Sequence, residues 1–504
     1  MFLSVRIVND NSVTRGTFSN TSFAILKLSG FKYVAVMQKN LTFNIFLVPF
    51  LAVMTVTFSS CQPSKDGSAT GEGLDTPLVQ NIDATRRFDQ SPISAVSNQI
   101  QVSASGQLNR NIPHMNDARI TYCESVNGEA GKYNGVRDTK KYPLASVSKM
   151  FLTAWALDKL GPDYKFENLW YFKKVSEGVY DVYFKANYDP VLNIEKMLYA
   201  MAQLRAQGVQ RIRQLVIDES TRVYLTVLND PHVELGEVPV SVDQSVDNLR
   251  LIFDSKNWGA QTETAKANLV QFAQQKNRVI NVPNAFSVEQ VVYVESKQVN
   301  ANSYSSVIKI KSAVLLKYLK DINVNSNNYL TDALFKTLGG QVEFKKFQQA
   351  RLGLTENDLN LFTGSGLPIV SMGIRVDNLG SCFSVLKTLK FIKILSQQLS
   401  FDMGHVLLTA GTDKGTYEPT IPLEFNRSVV MKTGRLYDVP ALNVAGATSL
   451  SNGTLYFAYF THDFDNGDES LYQNKRDQII QSILNYYPIT SGYQSLDLNS
   501  IFVD

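Results

Sequence analysis

Three short polar clusters, spread from residue 146 to residue 434, constrain this chain more than anything else in it. If they act together, the fold must carry three distant segments to one place. The first is Ser146-Val147-Ser148-Lys149, a Ser-x-x-Lys. On a helix, positions i and i+3 share a face about 5–6 Å apart, which sets the Lys amine beside the Ser hydroxyl. A neutral or charge-compensated amine can take the hydroxyl proton and leave a nucleophile. A helix N-terminus favours the negative charge that develops nearby. The second is Ser326-Asn327-Asn328, ahead of Tyr329, Leu330, Ala333, Leu334, Leu338 and Gly339, a pattern that predicts a short helix with a Gly stop. Its Ser and Asn can relay a proton and hold a substrate amide, or merely cap that helix. The third, Lys432-Thr433-Gly434, ends a strand-like run through Val429-Val430-Met431. Gly admits close approach of a ligand, Thr offers a hydroxyl, and Lys offers a charge for a carboxylate. Each motif alone is weak. Ser29…Lys32, Ser306…Lys309 and Ser384…Lys387 repeat the first spacing.

Composition removes several other chemistries. The 504 residues are 44% hydrophobic, enough for more than one core. The 49 basic residues nearly balance the 46 acidic ones and no long basic run stands out, which argues against nucleic acid as a partner. The four His (114, 232, 405 and 462) lie far apart, and no HExxH or CxxC occurs, which argues against a metal site. With no GxGxxG or Walker-type loop either, no cofactor is implied.

Leu41 to Phe58 is an 18-residue run, apolar apart from Asn44 and three Thr and interrupted by Pro49. Lys39 precedes it and Ser59-Ser60-Cys61 follows it, the pattern of an export signal. Phe58-Ser59-Ser60-Cys61 resembles a bacterial lipobox, which implies lipidation of Cys61 and a membrane-anchored lipoprotein of the cell envelope, facing the periplasm. An uncleaved anchor and ordinary cleavage are the alternatives; Met37 is a possible second start. Residues 1–60 are thus expected to be an address. They hold five basic residues and one acid, so the net charge of +3 becomes −1 without them. Residues 61–92, rich in Gly, Ser and Thr, read as a tether. Cys123 and Cys382 could pair, or could be separate buried thiols.

From residue 93 strand-like and helix-like patterns alternate, as in α+β or α/β chains. Leu144–Leu160 reads as a helix stopped by Gly161-Pro162. Leu442–Ser451 and Thr454–His462 flank Asn452-Gly453, a strong hairpin signal. Leu471, Tyr472, Ile479, Ile480, Ile483, Leu484 and Tyr487 fall at helical spacing. Together these predict an antiparallel sheet covered by a C-terminal helix.

The three motifs, in this order, resemble the set of the penicillin-recognising serine acyl transferases. The segments around them narrow that likeness. Tyr142–Thr153 with Leu160–Phe166, Ser326-Asn327-Asn328 with Thr337-Leu338-Gly339-Gly340, Thr363-Gly364-Ser365-Gly366-Leu367, and Lys432-Thr433-Gly434 with Ala445-Gly446 resemble the D-Ala-D-Ala carboxypeptidase/endopeptidase family. These are the low-molecular-mass class C penicillin-binding proteins, of the penicillin-binding protein 4 type. The 177 positions from Lys149 to Ser326 fit the large insertion that family carries. The resemblance implies an α+β, β-lactamase-like transpeptidase core (93–172 and 301–504) with an inserted α/β domain (173–300). It implies Ser146 as nucleophile, Lys149 as base and Ser326 as proton relay. Asn328, Lys432, Thr433, Gly434 and Arg435 would bind substrate, with the main-chain N–H groups of Ser146 and Arg435 as the oxyanion hole. Peptidoglycan stem peptides would be substrates and β-lactams inhibitors; a homodimer is possible.

The sequence also departs from that family. Ala186-Asn187-Tyr188 stand where Gly-Gly is usual before Asp-Pro, and Pro239–Trp258 matches no expected segment. Thr363 replaces an acid, and Arg435 replaces a small residue and projects a long cation beside the expected cleft. The departures around Asp189, Thr363 and Arg435 motivate one rival, a non-catalytic cell-wall binder, and the Ser-Lys chemistry itself allows another, an esterase or amidase.

Overall fold

The computed structural model describes residues 117–127, 140–227, 240–416, 426–490 and 492–498, together with six short strands between Arg6 and Val56. The chain divides into two units, Met1–Thr76 and Pro77–Asp504. In the first, Arg6–Asn9 pairs with Ser12–Arg15, and Ser22–Leu28, Phe31–Met37, Phe43–Leu47 and Val53–Val56 form an antiparallel meander. The last two of these strands lie within the apolar run. Among the described residues no helix is long and apolar enough to cross a membrane. Cys61 and the 61–92 tether lie outside the described residues.

The second unit is organised around a five-stranded antiparallel sheet. Its order is Leu408–Thr409, Val429–Leu436, Ala441–Leu450, Gly453–Thr461, Ile120–Val126. Side chains alternate across a strand, so this sheet feeds two layers. Val430, Ala445, Ala447, Tyr456, Ala458 and Phe460 pack into one core with the helices Ser148–Leu160 and Cys382–Gln398. Met431, Val444, Leu455, Phe457 and Tyr459 pack into the other, against Tyr472, Ile479, Ile480, Ile483 and Leu484 of the helix Glu469–Tyr486. The expected C-terminal helix is therefore present, and a second helical layer covers the opposite face. Leu471, which fits the apolar spacing, is half exposed.

Two boundaries differ from expectation. Leu450 pairs with Gly453, so the hairpin loop is Ser451-Asn452, one residue earlier than the Asn-Gly signal. Asn127 sets this register by accepting from the Thr454 N–H and donating to the Asn452 carbonyl. Gly453 lets it approach, since a Cβ there would lie 1.9 Å from Asn127 Oδ1. The first helix starts at Ser148 rather than Leu144, because Ala145 adopts φ +49° and the chain enters through one 3₁₀ turn, Ala145–Val147.

The insertion is a separate five-stranded sheet, ordered Ser287–Tyr293, Arg211–Ile217, Val179–Lys185, Glu167–Ser176, Ser306–Lys311. Its first three strands run parallel and the last two pair antiparallel. The sheet runs from Glu167 to Lys311, past the expected 173–300 at both ends and with its last strand wholly outside them. Helices Ile194–Ala206, Val242–Ile252 and Ala260–Gln275 contribute Leu198, Leu249 and Leu269 to its core around Trp170 and Phe184. The unrecognised segment 239–258 contains the second of these helices, opened by a capping box between Ser241 and Gln244.

The missing Gly-Gly has a structural answer. Asn187 (φ +49°) and Tyr188 (φ +58°) both take the left-handed conformation, in a turn closed by the Asp189 N–H on the Ala186 carbonyl. Such a turn needs positive φ at both central positions. Asp189 is buried and paired with Lys196 at 2.5 Å, and it also accepts from Asn168 and Tyr318. Tyr318 belongs to the core helix Leu315–Val324, so this ion pair couples the insertion to the core.

Cys123 and Cys382 form a disulfide that joins the sheet's edge strand to the helix Cys382–Gln398. It closes a loop across 259 positions. Disulfides stabilise by about 2–4 kcal/mol, more for longer loops, which for a body of this size corresponds to roughly 5 °C in Tm. Calorimetry with and without reductant should show that loss. A Cys123→Ala/Cys382→Ala double variant should start from the lower Tm and not respond to reductant.

Candidate active site

The site is built around the 3₁₀ turn Ala145–Val147, which two glycines and an asparagine clamp. A Cβ at Gly434 would lie 2.8 Å from the Leu144 carbonyl oxygen and 3.0 Å from the Val147 nitrogen. A Cβ at Gly366 (φ +88°) would lie 1.8 Å from the Ala145 carbonyl oxygen. Asn443, buried and opposite Gly434 in the sheet, donates to the Pro143 and Leu144 carbonyls at 2.7 and 3.2 Å. The glycine of the third motif therefore admits the turn that carries Ser146 rather than a ligand. Ser146 itself is half-buried.

Lys149, on the first turn of the following helix, is fully buried. Its Nζ reaches Ser146 Oγ at 2.9 Å, Asn328 Oδ1 at 2.7 Å and the Ser365 carbonyl at 2.7 Å. Burial pulls its pKa down from 10.5 to about 7, against an opposing pull from Asp332. A neutral amine has two protons and one lone pair. Asn328 Oδ1 and the Ser365 carbonyl can only accept, so they take the two protons. The lone pair then points at Ser146 Oγ. The three contacts thus orient Lys149 to receive a proton from that hydroxyl.

In the second motif the capping and chemical roles fall on different residues. Asn327 caps the helix Asn328–Thr337, accepting from the Leu330 N–H at 3.0 Å. Its amide also bonds Asp321, a buried carboxyl raised in pKa by desolvation and held by Asn325 as well. Ser326, at φ +56°, is left free of capping and accepts from Lys432 Nζ at 3.1 Å. Lys432 is fully buried, and its amine also donates to the Thr433 carbonyl at 2.8 Å. Burial and then the nearby Lys149 push its pKa well below 10.5.

The structure thus brings Ser146, Lys149, Asn328, Ser326, Lys432, Thr433 and Gly434 together. Arg435 differs from expectation. Its guanidinium pairs with Glu469 at the start of the C-terminal helix and lies 4.0 Å from the Tyr437 ring centroid. The charge is thereby engaged on the outer rim.

Four supporting residues were not read from the sequence. Asp332 Oδ1 accepts from the Ser365 N–H at 2.8 Å and so fixes the carbonyl that holds Lys149. Asn378 accepts from the Phe362 and Thr363 N–H groups and donates to Ser148 Oγ and the Thr363 carbonyl. It fastens the 363–367 loop to the first motif. Asn443 clamps the turn, and Thr416 Oγ1 stands 2.6 Å from Thr433 Oγ1. Within the loop, Thr363 Oγ1 accepts from the Gly366 N–H and donates to the Leu367 carbonyl. A hydroxyl therefore bridges the turn at the position where the family has an acid.

A family model described as the D-Ala-D-Ala carboxypeptidase 3 (S13) family matches residues 114–225, a stretch that includes Ser146 and Lys149. No curated protein matches the chain in sequence. Among solved structures, the chain is similar to the predatory endopeptidase Bd3459 of Bdellovibrio bacteriovorus in complex with immunity protein Bd3460. The TM-score is 0.67 at 24% identity, over 76% of this chain and 98% of that one. The penicillin G-acylated form of Bd3459 matches with a TM-score of 0.64 at 23% identity, again over 76% and 98%. Penicillin-binding protein 4 of Haemophilus influenzae matches with a TM-score of 0.50 at 16% identity, over 73% and 95%. The fold is accordingly the α+β fold of the penicillin-binding proteins, and the resemblance read from the motifs holds.

Two substitutions test the site's construction. Gly366→Ala should displace the Ala145 turn and lower acylation of Ser146 by a β-lactam at least 100-fold, comparable to loss of an essential oriented group. Lys149→Met removes a buried amine, which favours the fold, but strands two acceptors at about 1–3 kcal/mol each. These effects oppose each other, so its Tm should stay near the parent's. Calorimetry and fluorescent-penicillin kinetics measure both.

Proposed function

We propose that the chain is a serine D-Ala-D-Ala carboxypeptidase/endopeptidase acting on peptidoglycan stem peptides. One observation carries this reading. A fully buried amine, its pKa drawn by burial to about 7, bonds two acceptors that cannot donate and lies 2.9 Å from a half-buried hydroxyl, so that in its neutral form the lone pair is left for that hydroxyl. The family-model match over the first motif and the likeness to Bd3459, described as a peptidoglycan endopeptidase and seen acylated by penicillin G, support the same substrate class.

In this mechanism Ser146 Oγ attacks the carbonyl carbon of the penultimate D-Ala as its proton passes to Lys149. The carbonyl oxygen takes the negative charge, stabilised by the main-chain N–H groups of Ser146 and Arg435. Donors of this kind are worth roughly 2.7–4 kcal/mol each in acyl transfer. Only the backbone of Arg435 is needed there, and its side chain is engaged elsewhere. Ser326, hydrogen-bonded to Lys432, passes a proton to the leaving amine as the C–N bond breaks and is reprotonated with the proton that Lys149 took from Ser146, so that Lys149 is neutral again before deacylation. Asn328 holds the substrate amide while Lys432 and Thr433 bind the terminal carboxylate. Water then attacks the acyl-enzyme, Lys149 accepts its proton, and Ser146 is restored. A β-lactam would enter by the same attack. The departures that motivated a non-catalytic binder are each accommodated: Asn187 and Tyr188 make the required turn, Thr363 bridges its loop, and Arg435 is paired outward. A lipid anchor at Cys61 would hold the enzyme in the cell envelope.

Ser146→Ala should abolish covalent labelling by fluorescent penicillin and release of D-Ala; labelling that survives rejects the nucleophile. The acylation rate of the parent should rise with pH through about 7, as the Lys149 amine becomes neutral, and then level off. A rate independent of pH from 5 to 9 rejects Lys149 as base.

A further inference from the structure

Thr416 has no place in the motifs, yet the fold fixes it firmly beside one of them. Its loop lies against the end of the helix Leu315–Val324, two residues before Ser326. The Thr416 N–H donates to the Val324 carbonyl at 3.1 Å. Gly415 permits that contact, since a Cβ there would lie 2.5 Å from the same oxygen. Asp413 anchors the loop from the other side, pairing with the buried Lys320 at 2.5 Å and accepting from the Thr409 N–H. Lys320 is itself held by the Gly404 and Leu407 carbonyls at 2.6 and 2.7 Å. The result is an exposed hydroxyl held 2.6 Å from Thr433 Oγ1.

A hydroxyl has one proton. If Thr433 gave its own to Thr416, it would have none for a ligand. If Thr416 donates instead, the Thr433 proton is free to face the cleft. The Lys432 amine already donates to Ser326 Oγ and the Thr433 carbonyl, and the Arg435 guanidinium is turned to Glu469. Of the two groups assigned to the carboxylate, Lys432 is already oriented by these contacts, and the Thr433 hydroxyl is the one whose proton direction remains to be set. We propose that Thr416 is a positioning residue for recognition of the substrate's terminal carboxylate: its hydroxyl donates to Thr433 and turns the Thr433 proton toward the bound anion. This inference rests on the peptidase reading above and adds the group that sets its preference for a free C-terminus.

The test compares kcat/KM on N-acyl-D-Ala-D-Ala with that on its C-terminal amide, for the full chain, Thr416→Val and Thr416→Ser. A hydrogen bond to a charged group is roughly twice as strong as a neutral one, so losing the aligned donor should cost about 10-fold or more on the carboxylate substrate. Thr416→Val should show that loss chiefly in KM, with the amide unaffected. Thr416→Ser should retain the parent's ratio. Equal losses on both substrates, an unchanged ratio in Thr416→Val, or a Ser variant that behaves like Val overturns the proposal. A parent that turns over neither peptide and takes no penicillin on Ser146 overturns the functional reading, and this inference with it. A parent that does, with the ratio unmoved in Thr416→Val, overturns this inference alone.

Discussion

Two lysine side chains, Lys149 and Lys432, share one desolvated pocket, and much of the second unit is arranged to make that tolerable. Each is fully buried, and each has its pKa lowered first by loss of water. A lone buried ammonium is costly unless its protons are taken up. Here every contact is uncharged and can accept: a hydroxyl, a side-chain amide and a carbonyl for Lys149, a hydroxyl and a carbonyl for Lys432, the Ser146 hydroxyl turning donor once Lys149 is neutral. Among the described residues no carboxylate bonds either amine directly. A direct carboxylate would pair the charge and oppose the fall in pKa, as Asp413 does at Lys320, where burial still wins. Acceptors without charge satisfy the protons and leave the amine basic near neutral pH. The chemistry depends on that distinction.

The same choice has a cost in stability. With its pKa lowered from 10.5 to about 7, Lys149 binds its last proton less readily in the folded chain than in the unfolded one. The unfolded state therefore carries the extra proton between those two values. Stability rises with pH across that window, and the penalty is fully present below it. The surrounding structure offsets this with rigidity: three secondary-structure layers, a disulfide across 259 positions and clamps on both sides of the Ser146 turn. The buried Asp189–Lys196 pair gives a contrast. It is a charge pair with both partners engaged, at the junction of core and insertion. Removing one partner of such a pair costs about 3–5 kcal/mol, so it serves the fold rather than the reaction.

How much of this was legible in the sequence follows from what kind of constraint each residue obeys. The three motifs could be read because the chemistry demands particular side chains at short spacing, and short spacing survives in one dimension. The C-terminal hairpin and helix could be read because apolar periods of 2 and 3.6 are themselves linear signals. Asp332, Asn378, Asn443 and Thr416 could not. Each is a single polar residue whose partner is a main-chain group or hydroxyl distant in sequence, such as Asn443 on the Pro143 carbonyl. The 3₁₀ entry to the first helix was hidden for the opposite reason. Ala145 is a good helix former, and only tertiary packing by Gly366 and Gly434 holds it at φ +49°. One helix of the insertion had a usable signal, the Ser241/Gln244 capping box, in the segment that matched no family pattern.

The departures from the family pattern show that a motif records a geometric requirement and not a residue list. A two-residue turn with positive φ at both centres usually takes glycine, but asparagine tolerates it, and Tyr188 is held there by a turn that Asp189 closes. A loop-bridging acceptor is usually an acid, but the Thr363 hydroxyl both accepts from Gly366 and donates to Leu367, which a carboxylate could not do. The long side chain of Arg435 would obstruct a cleft only if it turned inward, and an acidic side chain with an aromatic ring beside it gives it an outward partner. In each case the substituted residue meets the constraint by a different hydrogen bond, and the distance from Lys149 to Ser146 stays within reach of proton transfer.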